Sequence, residues 1–273
     1  MKPDFCQKFD FCPLFSGSGG NCVYLATGNS AVLIDAGLPG TKIEEALKGI
    51  GISPSSINGI FITHEHSDHI KGAGILCRRH GIPLFATAGT WEDMDARSAL
   101  GRVSGEQRFI VPENRPFEFR DLTVVPFTIP HDAANPVGYS FIAGGRKATV
   151  ATDIGHISET VREHIAGSEV LLIEANHDEQ MLLEGTYPAY LKRRITGQTG
   201  HLSNVSCGEA LAELSSSGIR HVFLGHLSEA NNIPSLAYHT VEKILIRDGT
   251  SAAISLHVAN RYSPSAFLRL GTP

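Results

Sequence analysis

The sequence contains no apolar run near the roughly 18 residues of a membrane-spanning helix, and Met1-Lys2-Pro3-Asp4-Phe5 opens without a sustained apolar segment after its basic start. Neither a helical anchor nor a secretory signal is expected, and the cytoplasm is the expected location. Cysteine is scarce. Cys6, Cys12, Cys22, Cys77 and Cys207 are odd in number and include no Cys-x-x-Cys pair, which argues against a disulfide framework and a thiolate zinc site and fits a reducing compartment. Basic residues are also few: 23 Lys and Arg against 28 Asp and Glu give a formal net charge of −5. That balance excludes a whole-surface basic coat for nucleic acid and leaves only local patches for such a role. No linker, repeat or low-complexity tract divides the chain, so residues 1–273 are expected to form one domain.

What the chain has in quantity is histidine, 13 in all. Three of them fall with a carboxylate in Thr63-His64-Glu65-His66-Ser67-Asp68-His69, directly after the apolar Gly59-Ile60-Phe61-Ile62. The apolar run reads as a short buried strand that delivers His64 and His66 onto the loop at its end, side chains pointing the same way. Asp68 and His69 then start a helix running to His80. A loop of this kind can aim one pair of ligands at a first metal ion and the next pair at a second. The competing reading, a polar helix start with Asp68 near the N-cap, leaves the density of histidine unexplained.

Around this loop the pattern is mixed. Phe11 to Phe15, Cys22 to Thr27 and Ala31 to Asp35 read as a β-meander, Thr41 to Gly49 as a helix and Pro83 to Ala86 as a strand. Phe109 to Val111, Leu122 to Ile129, Val137 to Ile142 and Ala148 to Ala151 imply a second sheet. Val170 to Ile173, His221 to Leu224 and Ser251 to Val258 add strands, with helices over Asn204 to Ser215 and Leu236 to Ile246. Strands grouped in each half with helices between them predict an α/β (α+β) fold, a four-layer αββα sandwich with polar site residues on loops at one edge.

His131, Asp153 and His226 each end an apolar run. With the His-x-His-x-Asp-His loop they reproduce, in order, the ligand series of the metallo-β-lactamase superfamily, which the chain resembles over essentially its whole length. The resemblance implies the metallo-β-lactamase fold, with His64, His66 and His131 on one ion, Asp68, His69 and His226 on another, and Asp153 between them. Asp68 is thereby expected to serve catalysis as well as to ligate. Two divalent cations facing seven N/O ligands leave room for a water whose pKa falls toward about 7. His66 stands where the superfamily's di-iron oxidoreductases carry Glu, which favours hydrolysis; imidazole-rich sites accept Zn, Mn or Fe.

Glu174-Ala175-Asn176-His177 and Gly200-His201-Leu202-Ser203 resemble motifs of tRNase Z-like phosphodiesterases, in which a carboxylate orients a histidine that protonates the leaving oxygen. Here these are Glu174 and His201, suited to expelling an alkoxide. His177 is a candidate for a hydrogen-bonding partner behind a ligand. Lys192, Arg193 and Arg194 form either a phosphate-binding patch or a solvated face. Ser16-Gly17-Ser18-Gly19-Gly20-Asn21 either presents amides to a phosphate or is a plain hairpin turn. Ser228, Asn231 and Asn232 either bond substrate or shape a loop.

Together with Leu224-Gly225-His226-Leu227-Ser228, these stretches resemble the YycJ/WalJ-type bacterial proteins. That resemblance implies a metal-dependent nuclease-like hydrolase, 5′ to 3′ on double-stranded DNA. The chain lacks the large insertion that β-CASP nucleases carry after Asp153 and the long tRNA-clamping arm of tRNase Z. The alternatives are hydrolysis of a small phosphodiester, lactone or thioester, and a non-catalytic, metal-stabilised nucleic-acid-binding or regulatory protein. His80, His156, His164, His221, His239 and His257 are expected at surface or satisfied core positions, with His156 near enough to Asp153 in sequence to reach the cleft.

Overall fold

A computed structural model describes residues 8–271; Cys6 and the opening residues discussed above lie outside them. Fourteen strands build two seven-stranded sheets among the described residues. The first contains β1 (Phe9–Phe15), β2 (Cys22–Ala26), β3 (Ala31–Ile34), β4 (Gly59–Phe61), β5 (Leu84–Ala86) and β6 (Arg108–Ile110) in sequence order. The second contains β7 (Phe117–Phe119), β8 (Leu122–Thr128), β9 (Val137–Ala143), β10 (Arg146–Ala151), β11 (Val170–Glu174), β12 (His221–Gly225) and β13 (Ser255–Val258). The last strand, β14 (Leu268–Leu270), returns to the first sheet and pairs antiparallel with β1.

The side-chain period of two distributes each strand between two cores. Phe9, Phe11, Val32, Ile34 and Phe61 point inward to meet Val170, Leu172 and Phe223 of the facing sheet. Their neighbours Cys12, Leu14, Leu33 and Ile60 point outward under helices α1 (Gly40–Gly49), α3 (Ala73–His80) and α4 (Ala88–Ala96). On the far side Leu171, Ile173, Val222 and Leu224 pack under α5 (Glu159–Ile165), α8 (Asn204–Glu213) and α9 (Pro234–Arg247). Both sheets are therefore buried on both faces in their middle strands, which is why those strands read as unbroken apolar runs. The four-layer αββα sandwich expected from the sequence is the architecture found.

Three expectations need correction. The helix from Asp68 to His80 is two helices, α2 (Ser67–Ile70) and α3. The break falls at Gly72, where an added Cβ would lie 2.3 Å from the Leu38 carbonyl oxygen, so the chain needs glycine for this approach. Phe109 to Val111 belongs to the edge of the first sheet, because β6 pairs in parallel with β5. Ser251–Ala253 is a 3-10 turn, and the strand expected from Ser251 begins at Ser255. Two further short helices, α6 (Glu179–Glu184) and α7 (Ala189–Ile195), lie between β11 and α8. No described helix is long and apolar enough to cross a membrane.

Candidate metal centre

The loops at the ends of β3, β4, β10, β11 and β12 converge on one edge of the sandwich. Tyr139 fastens the sheets together there, donating its buried hydroxyl to the Ile62 carbonyl at 2.9 Å. Asp35, Asp153 and His226 each follow a strand with φ between 53° and 60°. The left-handed backbone costs a non-glycine residue of order 1–3 kcal/mol. It turns each side chain out of its strand's alternation and toward the common edge.

His64, His66 and His131 form one donor group and Asp68, His69 and His226 a second, the donor atoms of each lying within 4.8 Å of one another. Asp153 reaches both: Oδ2 lies 3.2 Å from His69 Nε2 and Oδ1 lies 3.7 Å from His131 Nε2. His131 Nε2 stands only 3.3 Å from His66 Nδ1. His64 Nε2, His226 Nε2 and Asp153 Oδ2 are buried without a hydrogen-bond partner. Buried polar atoms left unpartnered are costly unless something else binds them. Imidazole and carboxylate donors so placed fit divalent cations.

Behind the candidate ligands stand two carboxylates. Asp35 Oδ2 is 2.7 Å from His69 Nδ1, and Asp35 Oδ1 accepts the Thr63 N–H at 2.8 Å. Glu174 is fully buried and takes four donors: Oε1 is 2.7 Å from His226 Nδ1 and 2.9 Å from His201 Nδ1, and Oε2 accepts the N–H groups of Ile154 and Leu202. Four donors fill the acceptor capacity of a carboxylate. Each carboxylate fixes Nδ1 as the protonated nitrogen and leaves Nε2 of His69 or His226 to ligate. Asp153, Glu174, His201 and His226 also cluster closely, but both rings spend Nδ1 on Glu174, so this cluster is a hydrogen-bond relay.

Burial disfavours charge on every ring here. It prevails at His64 and His131, whose pKa values are lowered. Neighbouring carboxylates overcome it at His69, which is raised, and at His226, which Asp153, Asp68 and Glu174 push up to about 10. Burial works to raise Glu174 too, but His201 and His226 hold it down at about 2. At His201 the charge of Glu174 and its hydrogen bond outweigh burial and raise the pKa.

The family model described as "Beta-lactamase superfamily domain" matches residues 31–227. The chain belongs to the beta-lactamase superfamily. Within it, the chain is 36% identical over 257 residues to "Exodeoxyribonuclease YycJ" of Bacillus anthracis, covering 93% of this chain and 97% of the relative. It is 37% identical over 250 residues to "Exodeoxyribonuclease WalJ" of Streptococcus pneumoniae serotype 2, covering 92% and 93%. Its fold matches the metallo-beta-lactamase fold protein YhfI of Bacillus subtilis with a TM-score of 0.71 at 13% identity, over 96% of this chain and 99% of that one.

In this superfamily chain the remaining candidates divide. His201 is close to Glu174 and lines both the cleft of about 220 Å³ that holds the donors and a larger cavity of about 450 Å³ beside it. Arg194 faces the cleft, paired with Asp132 at 2.6 Å and 3.1 Å, whereas Lys192 and Arg193 line the larger cavity. Ser228 lines the cleft, but Asn231 and Asn232 do not come to it. Asn232 is spent on Ala175, Asn176 and Asn204, and Asn231 is buried behind Ser228. The His177 ring makes no hydrogen bond to any candidate metal ligand among the described residues; it lines the larger cavity.

The glycine-rich turn supports the site from behind. Gly17, Gly20 and Asn21 use their N–H groups within the fold, Ser16 Oγ accepts the His226 N–H at 2.8 Å, and Asn21 Nδ2 lies 3.1 Å from His69 Nε2. His156 bonds the Gln198 carbonyl and stays outside the donor groups. Cys12, Cys22, Cys77 and Cys207 are buried and free. Sequence reasoning passed over Asp35, Asn21 and Asn176, whose amide bonds the His226 carbonyl. Asp35 follows Val32-Leu33-Ile34 as the known candidates follow their own apolar runs, and that signal was available.

Proposed function

We propose that the chain is a dinuclear metal-dependent hydrolase that removes nucleotides from DNA ends, acting 5′ to 3′. The observation that carries the reading is His201. Its Nδ1 is held by buried Glu174, leaving Nε2 as the ring's free nitrogen, at the boundary between the donor cleft and a cavity large enough for a nucleotide. Cleavage of a phosphodiester expels an alkoxide, which needs a proton at that position more than a β-lactam or thioester does. The names of the two relatives, both exodeoxyribonucleases, support the same substrate class.

In this reading His64, His66 and His131 would hold one ion and Asp68, His69 and His226 the other, with Asp153 placed to serve both. Zinc or manganese suits the donors, and iron is acceptable to them. Two such ions, when bound, supply a water of lowered pKa and positive charge beside the phosphoryl oxygens. The protein's own part is positional. Asp35 and Glu174 keep two ligand rings in the tautomer that ligates, and His201 gives its Nε2 proton to the departing oxygen. The basic residues of α7 receive the neighbouring phosphates. One domain and a cytoplasmic location belong to the same reading.

The test is a nuclease assay on 5′- and 3′-end-labelled duplexes with zinc, manganese or iron restored to stripped protein. Stepwise loss of the 5′ label as mononucleotide is expected. Turnover of a small chromogenic phosphodiester with DNA left intact would instead assign a small-molecule substrate.

A further inference from the structure

The cavity of about 450 Å³ shares only His201 with the cleft that holds the metal donors. Its volume falls within the roughly 300–1,000 Å³ of small-ligand pockets. Leu182 and Leu202 supply apolar surface, His177 and Ser206 line it, Glu179 is held by Ser203 Oγ at 2.9 Å, and Lys192 and Arg193 bring positive charge from α7. Lys192 spends one of its three N–H donors on the Leu183 carbonyl at 2.6 Å. Arg193 is exposed and makes no side-chain hydrogen bond or ion pair among the described residues, unlike Arg194 beside it. Apolar surface, a cationic wall and an unpaired guanidinium suit a base, a sugar and a phosphate.

Resting on the exonuclease reading, we propose that this cavity seats the 5′-terminal nucleotide of the DNA, as the group that leaves, with its 5′-phosphate toward Lys192 and Arg193. An in-line displacement puts the leaving oxygen opposite the attacking one, so the group it carries lies on the acid's side. The acid, His201, borders this cavity. Water adds its oxygen to the phosphorus of the second nucleotide, the P–O3′ bond breaks, and O3′ takes the proton from His201. The products are a nucleoside 5′-monophosphate and a strand shortened by one residue that again bears a 5′-phosphate. A 3′ to 5′ enzyme making the same monophosphates would have to place the long remaining strand on this side. A cavity of this volume, walled by α6 and α7 on one side, suits one residue better than a strand.

The experiment measures calorimetric binding of thymidine 3′,5′-bisphosphate and thymidine 3′-monophosphate to the metal-loaded full chain. The 3′-phosphate occupies the scissile position in both, so the difference reports the 5′-phosphate. The bisphosphate is expected to bind at least tenfold more tightly, Arg193→Ala to erase most of that difference, and Ser206→Phe, which narrows the cavity, to weaken both. Equal affinity for the two compounds, or an undiminished preference in Arg193→Ala, overturns the proposal; Arg193 is exposed, so its variant folds. Failure of the exonuclease reading is distinguishable, because it would leave DNA uncut by a wild-type protein that still prefers the bisphosphate.

Discussion

Glu174 Oε1 lies 2.7 Å from His226 Nδ1, so a fully buried carboxylate on β11 orients a candidate ligand that ends β12. The same oxygen receives His201 at 2.9 Å. In the proposed reading, metal binding and proton donation therefore share one support. Glu174→Gln removes the charge and turns an amide toward donors that need an acceptor. It is expected to weaken metal retention about 10–100-fold and to slow turnover as well. Metal titration of the variant that matched wild type would show that Glu174 does not orient His226.

His201→Ala separates the two roles. The variant should retain both ions while diester turnover falls roughly 10²–10⁴-fold, the usual contribution of a positioned acid. The raised pKa of His201 also sets a sign. An acid works while protonated, so activity falls as pH rises through that pKa, above the ordinary histidine value. This alkaline limb should vanish from the kcat profile of the variant. A limb that persists unaltered would assign it to another group.

Without metal, neighbouring carboxylates raise His69 and push His226 up to about 10, so the His226 ring carries a second proton at pH 7.5. Ligation requires neutral imidazole, with Nδ1–H kept on Asp35 and Glu174. Filling the site should therefore release at least one proton, that of His226. Calorimetry in buffers of different ionisation enthalpy reads this number directly, and a release near zero would mean that these rings do not ligate. The sign for stability follows as well. The His226 contribution to the metal-free protein is present below the unfolded histidine value near 6.5 and is lost as pH rises through about 10.

The basic run of α7 is not uniform. Arg194 is already paired with Asp132 on two bonds, while Arg193 has no such partner among the described residues. Arg193→Ala is expected to reduce the salt slope of DNA binding by about 1, with a smaller change for Arg194→Ala. Salt titrations of both variants decide it, and an unchanged slope in Arg193→Ala would remove that residue from the phosphate contacts.

Much of this was legible in the sequence because the site residues end apolar runs that can only be strands. The loop from His64 to His69, His131, Asp153, Glu174 and His226 are all delivered this way. What was not legible has physical reasons. Seven residues of α7 and six of α6 give too few turns for a helical period to stand out. The break between α2 and α3 depends on a tertiary approach, that of Leu38 to Gly72. Asn231 and Asn232 follow His226 on a polar loop, and only the fold reveals that both turn inward. Asp35 has the same strand-end signature as the ligands, but a residue that acts through His69 belongs to no local motif.

The central claim is that two divalent ions sit between the donor groups that Asp153 joins. Elemental analysis of protein loaded with zinc or manganese, wild type beside His64→Ala and Asp68→Ala, tests it most directly. Two ions per chain are expected in wild type, and about one in each variant. One tightly held ion or fewer in the wild-type chain would contradict the account.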